Sequence, residues 1–311
     1  MTNRRDFLKH GLAFGAGSFL LGMPSDLLAK NDLIKLTILH TNDVHSHIDP
    51  FPDNDPKYPG LGGAARRAAL IKKIRASEPN VLLLDAGDIY QGTYYFNKYG
   101  GELELRLMSE MGYDASAIGN HDFDNGIDGI VSKLPFAKFP LLCANYDFSN
   151  TDLKGKTEAF KIFSRGGLKI GVFGLGIELS GLVDKKNYGD TVYQDPVQKA
   201  AEMAIRLKQD EKCDVIICLS HLGFKYNENK ISDMTLAKQS RFIDVIIGGH
   251  THTFLDKPLL LSNRDGKEVC VAQVGWAGIK LGVINLYVQQ GKGKKSFSGN
   301  AIGINSLAER I

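Results

Sequence analysis

The sequence predicts an α/β domain with parallel strands and a second, mixed sheet, and three observations carry that prediction. Strand-length apolar runs alternate with amphipathic segments from Leu36 onward. After Thr253 the alternation gives way to strand-like runs separated by Gly275, Gly278 and Gly282. Asp, His and Asn recur just beyond the strand ends, where the loops of an open α/β sheet converge.

In chain order, Leu36–His40 reads as a strand, Arg66–Ser77 as a helix, Val81–Leu84 as a strand and Leu103–Met111 as a helix. Ala115–Ile118 is the next strand and Ile127–Leu134 the next helix. Strands follow at Leu141–Ala144, Phe160–Phe163 and Leu168–Phe173, then a helix over Pro196–Gln209 and strands at Val215–Leu219 and Val245–Ile247. The last runs, Val269–Val274 and Leu281–Val288, give a β-rich end. Gly291–Gly299 is a Gly/Lys/Ser stretch that reads as a flexible hairpin or linker.

Composition bounds the function. The chain has 311 residues, with 43% apolar and 23% charged, which suits a soluble globular protein and excludes a disordered, collagen-like or coiled-coil chain. Its net charge of +3 is drawn largely from residues 1–30, and the rest is close to neutral. No polybasic face is indicated, so neither a nucleic-acid nor a membrane partner follows from charge. Cys143, Cys213, Cys218 and Cys270 have no C-x-x-C spacing and read as buried strand cysteines rather than disulfides or metal thiolates.

The amino terminus reads as an address. Arg4-Arg5-Asp6-Phe7-Leu8-Lys9 precedes the apolar stretch Gly11–Met23 and then Pro24, the layout of an export signal of twin-arginine type. The stretch is too short to span a bilayer, and no lipobox cysteine follows, so no stable membrane anchor is expected. Cleavage is expected near Ala29-Lys30, giving a signal at 1–29, a catalytic domain at 30–290 and a short tail at 291–311 of a periplasmic or otherwise exported protein.

The polar residues at strand ends carry the chemistry. Asp43 and His45 follow the first strand, Asp88 the second, Asn120 and His121 the third, His221 the strand at 215–219, and His250 and His252 the strand at 245–247. Carboxylate, imidazole and amide oxygen without sulfur suit Zn, Mn, Fe or Co. Asp43, His45, Asp88, Asn120, His221, His250 and His252 make seven candidate ligands, enough for two divalent ions if one carboxylate bridges them. Such a pair clamps a phosphate ester and activates a water between the ions, which points to hydrolysis at phosphorus. His40 and His47 are expected to be supporting or structural.

These blocks resemble a known family. Asp43-x-His45, Gly87-Asp88, Gly119-Asn120-His121-Asp122, His221 and Gly249-His250-x-His252 look like the five-block signature of calcineurin-like metallophosphoesterases. The fuller strings Leu39-His40-Thr41-Asn42-Asp43-Val44-His45 and Gly119-Asn120-His121-Asp122-Phe123-Asp124 are similar to the 5′-nucleotidase and UDP-sugar hydrolase branch, as are Gly62-Gly63 and Arg66 before their helix. The resemblance implies a four-layer α/β/β/α sandwich of two mixed sheets. It places Asp43, His45, Asp88 and His252 on one metal and Asp88, Asn120, His221 and His250 on the other. It makes His121 the donor to phosphate and leaving oxygen, oriented by Asp124, for which a helix cap is the alternative reading.

Members of that branch continue into a carboxyl-terminal domain that grips the nucleoside, and this sequence stops at Ile311. The expectation is a nucleotide phosphomonoesterase or nucleotide-sugar pyrophosphatase that lacks this domain in the same chain, with a separate recognition chain as a candidate partner. Competing expectations are a hydrolase of sulfur esters or thiosulfonates on the same metal core and a low-turnover metal-bearing subunit.

Overall fold

The structure is a computed structural model and describes residues 33–291 and 293–305. The expected signal at 1–29 lies outside those residues. Among the described residues no helix is long and apolar enough to cross a membrane.

The elements run β1 (Leu33–Thr41), α1 (Ala64–Ser77), β2 (Val81–Asp85), α2 (Tyr94–Tyr99), α3 (Glu102–Met111), β3 (Ala115–Ala117), α4 (Gly126–Lys133) and β4 (Leu141–Leu142). Next come β5 (Tyr146–Asp147), β6 (Phe160–Arg165), β7 (Leu168–Leu175), α5 (Lys185–Tyr188), β8 (Val192–Tyr193), α6 (Pro196–Ile205) and β9 (Val215–Ser220). The chain closes with α7 (Asp233–Gln239), β10 (Val245–Gly248), β11 (Leu259–Ser262), β12 (Glu268–Ala272), β13 (Lys280–Gln289) and β14 (Lys295–Gly303).

Two six-stranded sheets form, in the orders β14-β13-β1-β2-β3-β4 and β11-β12-β10-β9-β7-β6. β1 to β4 are mutually parallel, as are β7, β9, β10 and β12, while β13, β14, β6 and β11 add antiparallel edges. Both sheets are therefore mixed. Side chains alternate across each strand. Leu36, Ile38, Leu82 and Leu84 of the first sheet meet Val215, Ile217, Val245 and Ile247 of the second in an inter-sheet core. Their neighbours Leu39 and Leu83 turn outward onto Leu70 of α1 and Leu105 of α3. Ile216, Cys218 and Ile246 turn outward onto Ala204 of α6 and Leu236 of α7. Strands packed on both faces read as unbroken apolar runs, and this burial makes the α/β/β/α sandwich.

Local chemistry sets the helix starts. Asp195 accepts from the N–H groups of Val197 and Gln198 ahead of Pro196, and Ser232 with Thr235 forms a reciprocal capping box on α7. The helix expected through Gln209 stops at Ile205 and widens into a π turn over Arg206–Asp210. Lys295–Gly303, expected within a flexible hairpin or linker and the tail, is a strand paired antiparallel along its whole length with β13, so the hairpin reading holds while the expected tail joins the sheet. All four cysteines are buried and unpaired with one another.

Candidate metal centre and its acid

Five strand ends from the two sheets deliver the site to one edge of the sandwich. Asp43 and His45 follow β1, Asp88 follows β2, Asn120 and His121 follow β3, His221 follows β9, and His250 and His252 follow β10. The backbone turns sharply after β1, β2 and β10: φ is +50° at Asp43 and His45, +56° at Asp88, +71° at His250 and +51° at His252. Non-glycine residues seldom adopt this left-handed region, which costs about 1–3 kcal/mol each and persists only where the surroundings enforce it. Five of the seven expected ligands are held this way.

The donors form two triads, Asp43 with His45 and His252, and Asp88 with His221 and His250, the donor atoms of each lying within 4.8 Å of one another. Asn120 joins the second through its Oδ1, 2.8 Å from His250 Nδ1. Asp88 Oδ2 lies 3.0 Å from His221 Nε2 and 3.7 Å from His45 Nε2, so this carboxylate stands between the triads. All seven residues singled out in the sequence come together.

The donor set fits cations. His221 Nδ1 donates to the Ala86 carbonyl at 2.7 Å, which in the neutral ring leaves Nε2 as the lone-pair nitrogen. That buried Nε2 has no hydrogen-bond partner and points at a carboxylate oxygen. His45 repeats the pattern: Nδ1 lies 3.2 Å from the Tyr90 carbonyl, and Nε2 faces His252 Nε2 at 3.1 Å. Imidazole nitrogens gathered on one another and on buried carboxylates make a donor set that suits a cation, and carbonyl-anchored imidazoles are the usual way a metal-binding ring is aimed. Burial would lower the His221 pKa, but Asp88 and Asp43 raise it to about 10, so in the metal-free protein a proton takes the cation's place. Burial pushes His45 down and, with His221, His250 down to about 4, keeping both rings neutral donors.

His121 stands apart from the triads. Its Nδ1 lies 2.9 Å from Asp124 Oδ2, its ring centroid is 5.2 Å from that of His45, and its side chain is 38% exposed. The Asp124 hydrogen bond, together with the charges of Asp88, Asp124 and Asp122, raises its pKa against the effect of burial. Asp124 does not cap α4: the cap position belongs to Asn125, with no side-chain hydrogen bond.

The sequence pattern of the Calcineurin-like phosphoesterase family matches residues 36–254. The chain belongs to that family. Snake venom 5′-nucleotidase of Naja atra is 37% identical over 293 residues, which cover 87% of this chain and 54% of that one. Among solved structures, a 5′-nucleotidase precursor of Thermus thermophilus superposes with a TM-score of 0.80 at 33% identity, over 88% of this chain and 55% of its own. The NAD nucleotidase of Haemophilus influenzae gives 0.74 at 29% identity, over 86% and 49%. The chain spans about half the length of the curated relatives it matches.

This calcineurin-like phosphoesterase also relies on residues to which the sequence assigned no role. Asp122 accepts from the backbone N–H groups of Asp88 at 3.2 Å, Ile89 at 2.9 Å, Tyr90 at 3.2 Å and Gly119 at 2.8 Å, and so clasps two ligand loops. Asn42 donates to the Gly275 carbonyl at 2.6 Å and accepts from Val274 N–H at 2.9 Å, tying the Asp43 loop to the segment after β12. Trp276 stacks on His252 with centroids 5.6 Å apart and planes 3° from parallel. Asn42 and Asp122 lie inside the quoted blocks, so their position was the available signal; Trp276, the single tryptophan, carried none.

Of the remaining expected residues, His47 hydrogen-bonds the His45 carbonyl at 2.9 Å and stacks on Phe51, which supports the His45 loop from behind. His40 is buried within β1 against Gly282 of β13, where a Cβ would fall 2.0 Å from its Nε2, and burial lowers its pKa to about 3. Gly62 and Gly63, at φ +82° and +99°, turn the chain into α1, and Arg66 donates to the Gly60 carbonyl at 2.7 Å.

Proposed function

We propose that the protein hydrolyses phosphate monoesters of nucleotides at a two-metal centre, and that it does so after export through the twin-arginine-type segment at 1–29. Asp43, His45 and His252 would hold one divalent ion and Asn120, His221 and His250 the other, with Asp88 placed to serve both. The observation that carries this reading is the position of the Asp88 carboxylate between the two triads, its Oδ2 3.0 Å from His221 Nε2 and 3.7 Å from His45 Nε2. Bound ions supply positive charge that holds the phosphoryl group and lowers the pKa of water at the site.

The chain's own proton chemistry resides in His121. Asp124 fixes Nδ1 as the donor of the 2.9 Å hydrogen bond and favours the imidazolium, so Nε2 carries the proton that the leaving alkoxide needs. The partly exposed ring reaches substrate, whereas the buried rings of His45 and His221 do not. Nucleotides are the favoured substrates because the relatives named above are nucleotidases.

The test is to load the purified protein with Mn or Zn, count bound ions, and assay AMP, a UDP-sugar, a cyclic nucleotide and aryl mono- and diesters. Hydrolysis of AMP that falls about 10²–10⁴-fold in His121→Ala at unchanged metal content supports the assignment. Two bound ions without turnover of any phosphoester refute it. Export is checked by fractionation, since replacing Arg4 and Arg5 by lysine should leave the precursor in the cytoplasm.

A further inference from the structure

An unbroken row of aromatic rings leads away from the exposed edge of the metal centre. It begins at His252, whose side chain is 40% exposed and which lies parallel to Trp276. The edges of Trp276 meet His47, Phe51 and Tyr58, at centroid distances of 5.1, 6.0 and 6.1 Å. Tyr58 then meets Phe254 at 6.2 Å with planes 35° apart, and Phe254 is 36% exposed. Trp276 is thus the wall that joins a metal-facing imidazole to two solvent-facing rings.

The row is built before any ligand arrives. Asp55 accepts from the N–H groups of Lys57 and Tyr58 at 2.9 and 2.7 Å, which fixes the loop that carries Tyr58. Trp276 Nε1–H donates to the Tyr58 hydroxyl at 3.4 Å. Phe254 lies directly on Gly275, where a Cβ would fall 2.1 Å from the ring, so the glycine makes the seat possible. Rings fixed in this way lose little freedom when they bind a planar partner, and exposed aromatic surface beside a polar centre marks a binding site.

We propose that Tyr58 and Phe254, backed by Trp276, form a stacking seat for the flat aromatic part of the phosphoester's alcohol, the nucleobase where the substrate is a nucleotide. The proposal rests on the phosphoesterase reading above and adds where the non-reacting end of the substrate goes. Stacking on such rings accepts any base through its π-face, so the seat selects aromatic over aliphatic phosphoesters and not one base over another.

Trp276 is the only tryptophan in the chain, so its emission reports the seat without any turnover. AMP and adenosine should quench it saturably, whereas ribose 5-phosphate should not. Tyr58→Leu and Phe254→Leu should each weaken adenosine binding about tenfold, and Tyr58→Phe should restore it, with metal content followed in each variant as the check on folding. Ribose 5-phosphate quenching as AMP does, or adenosine binding unchanged in both leucine variants, overturns the seat. Should the leucine variants fail to fold, the comparison of AMP with ribose 5-phosphate in the native chain still decides. Because the titration needs no hydrolysis, failure of the phosphoesterase reading shows separately, as absent turnover.

Discussion

The Nε2 of His221 lies 3.0 Å from Oδ2 of Asp88, and its Nδ1 donates to the Ala86 carbonyl at 2.7 Å. The same Asp88 oxygen lies 3.7 Å from His45 Nε2, so one side chain serves both triads. Asp88→Asn keeps the shape and removes both the charge and one acceptor oxygen. Bound metal should fall from two ions to one or none, and kcat/KM should fall by more than the roughly 10–100-fold typical of residues that only support a ligand. Elemental analysis of the purified variant reads the first effect. Two retained ions with native activity would remove Asp88 from the bridging position.

The pair His121 and Asp124 predicts a pH effect. His121 works as an acid only while protonated, so its contribution is present below its pKa and is lost as pH rises through it. The Asp124 hydrogen bond is the largest cause of the raised pKa. Asp124→Asn removes that charge and should move the alkaline limb of the kcat profile to lower pH while metal content stays the same. An unmoved limb would show that His121 is not the titrating acid. Aryl phosphates, whose leaving groups need little protonation, should be less sensitive to the change than AMP.

The sequence exposes the ligands because each follows an apolar strand directly, and the strand end fixes the place of its next few residues whatever the rest of the chain does. The same logic fails for β14, whose Lys-Ser-Phe-Ser-Gly-Asn run has no apolar signature; it is a strand because β13 offers a partner edge from Lys280 to Val288. Asp122 is visible as a residue but not as a clasp, since its four N–H partners come from two different loops that only the sheet brings side by side. Tyr58 and Trp276 meet across 218 positions of chain, a relationship no local pattern encodes.

Asp122→Ala should damage stability and metal binding together. Four backbone donors in a buried loop pair would lose their acceptor, at about 1–3 kcal/mol for each left unsatisfied, so a loss of about 3 kcal/mol or more is expected. Denaturant titration of the metal-free protein reads the stability term without a contribution from bound ions. Asp122→Asn retains one acceptor oxygen and should fall between the alanine variant and the native chain. A native midpoint for Asp122→Ala would mean that water replaces the carboxylate.

Gly119→Ala isolates how closely the two loops must approach. A Cβ at this position would lie 2.2 Å from Asp88 Oδ1 and 2.5 Å from the Asp88 backbone nitrogen. The nitrogen cannot rotate away as a side chain would, so the Asp88 loop must retreat, and the 2.8 Å hydrogen bonds from Gly119 N–H to Asp122 and from His121 N–H to Asp88 retreat with it. The sandwich core, built from other residues, is untouched. The variant should therefore keep its secondary structure by circular dichroism, bind fewer ions and lose phosphoesterase activity. Gly303→Ala provides the contrast: nothing lies within 4 Å of its Cβ, and the same methyl group there should change neither metal content nor rate. Equal behaviour of the two variants would show that the loops tolerate a wider spacing than the site geometry demands.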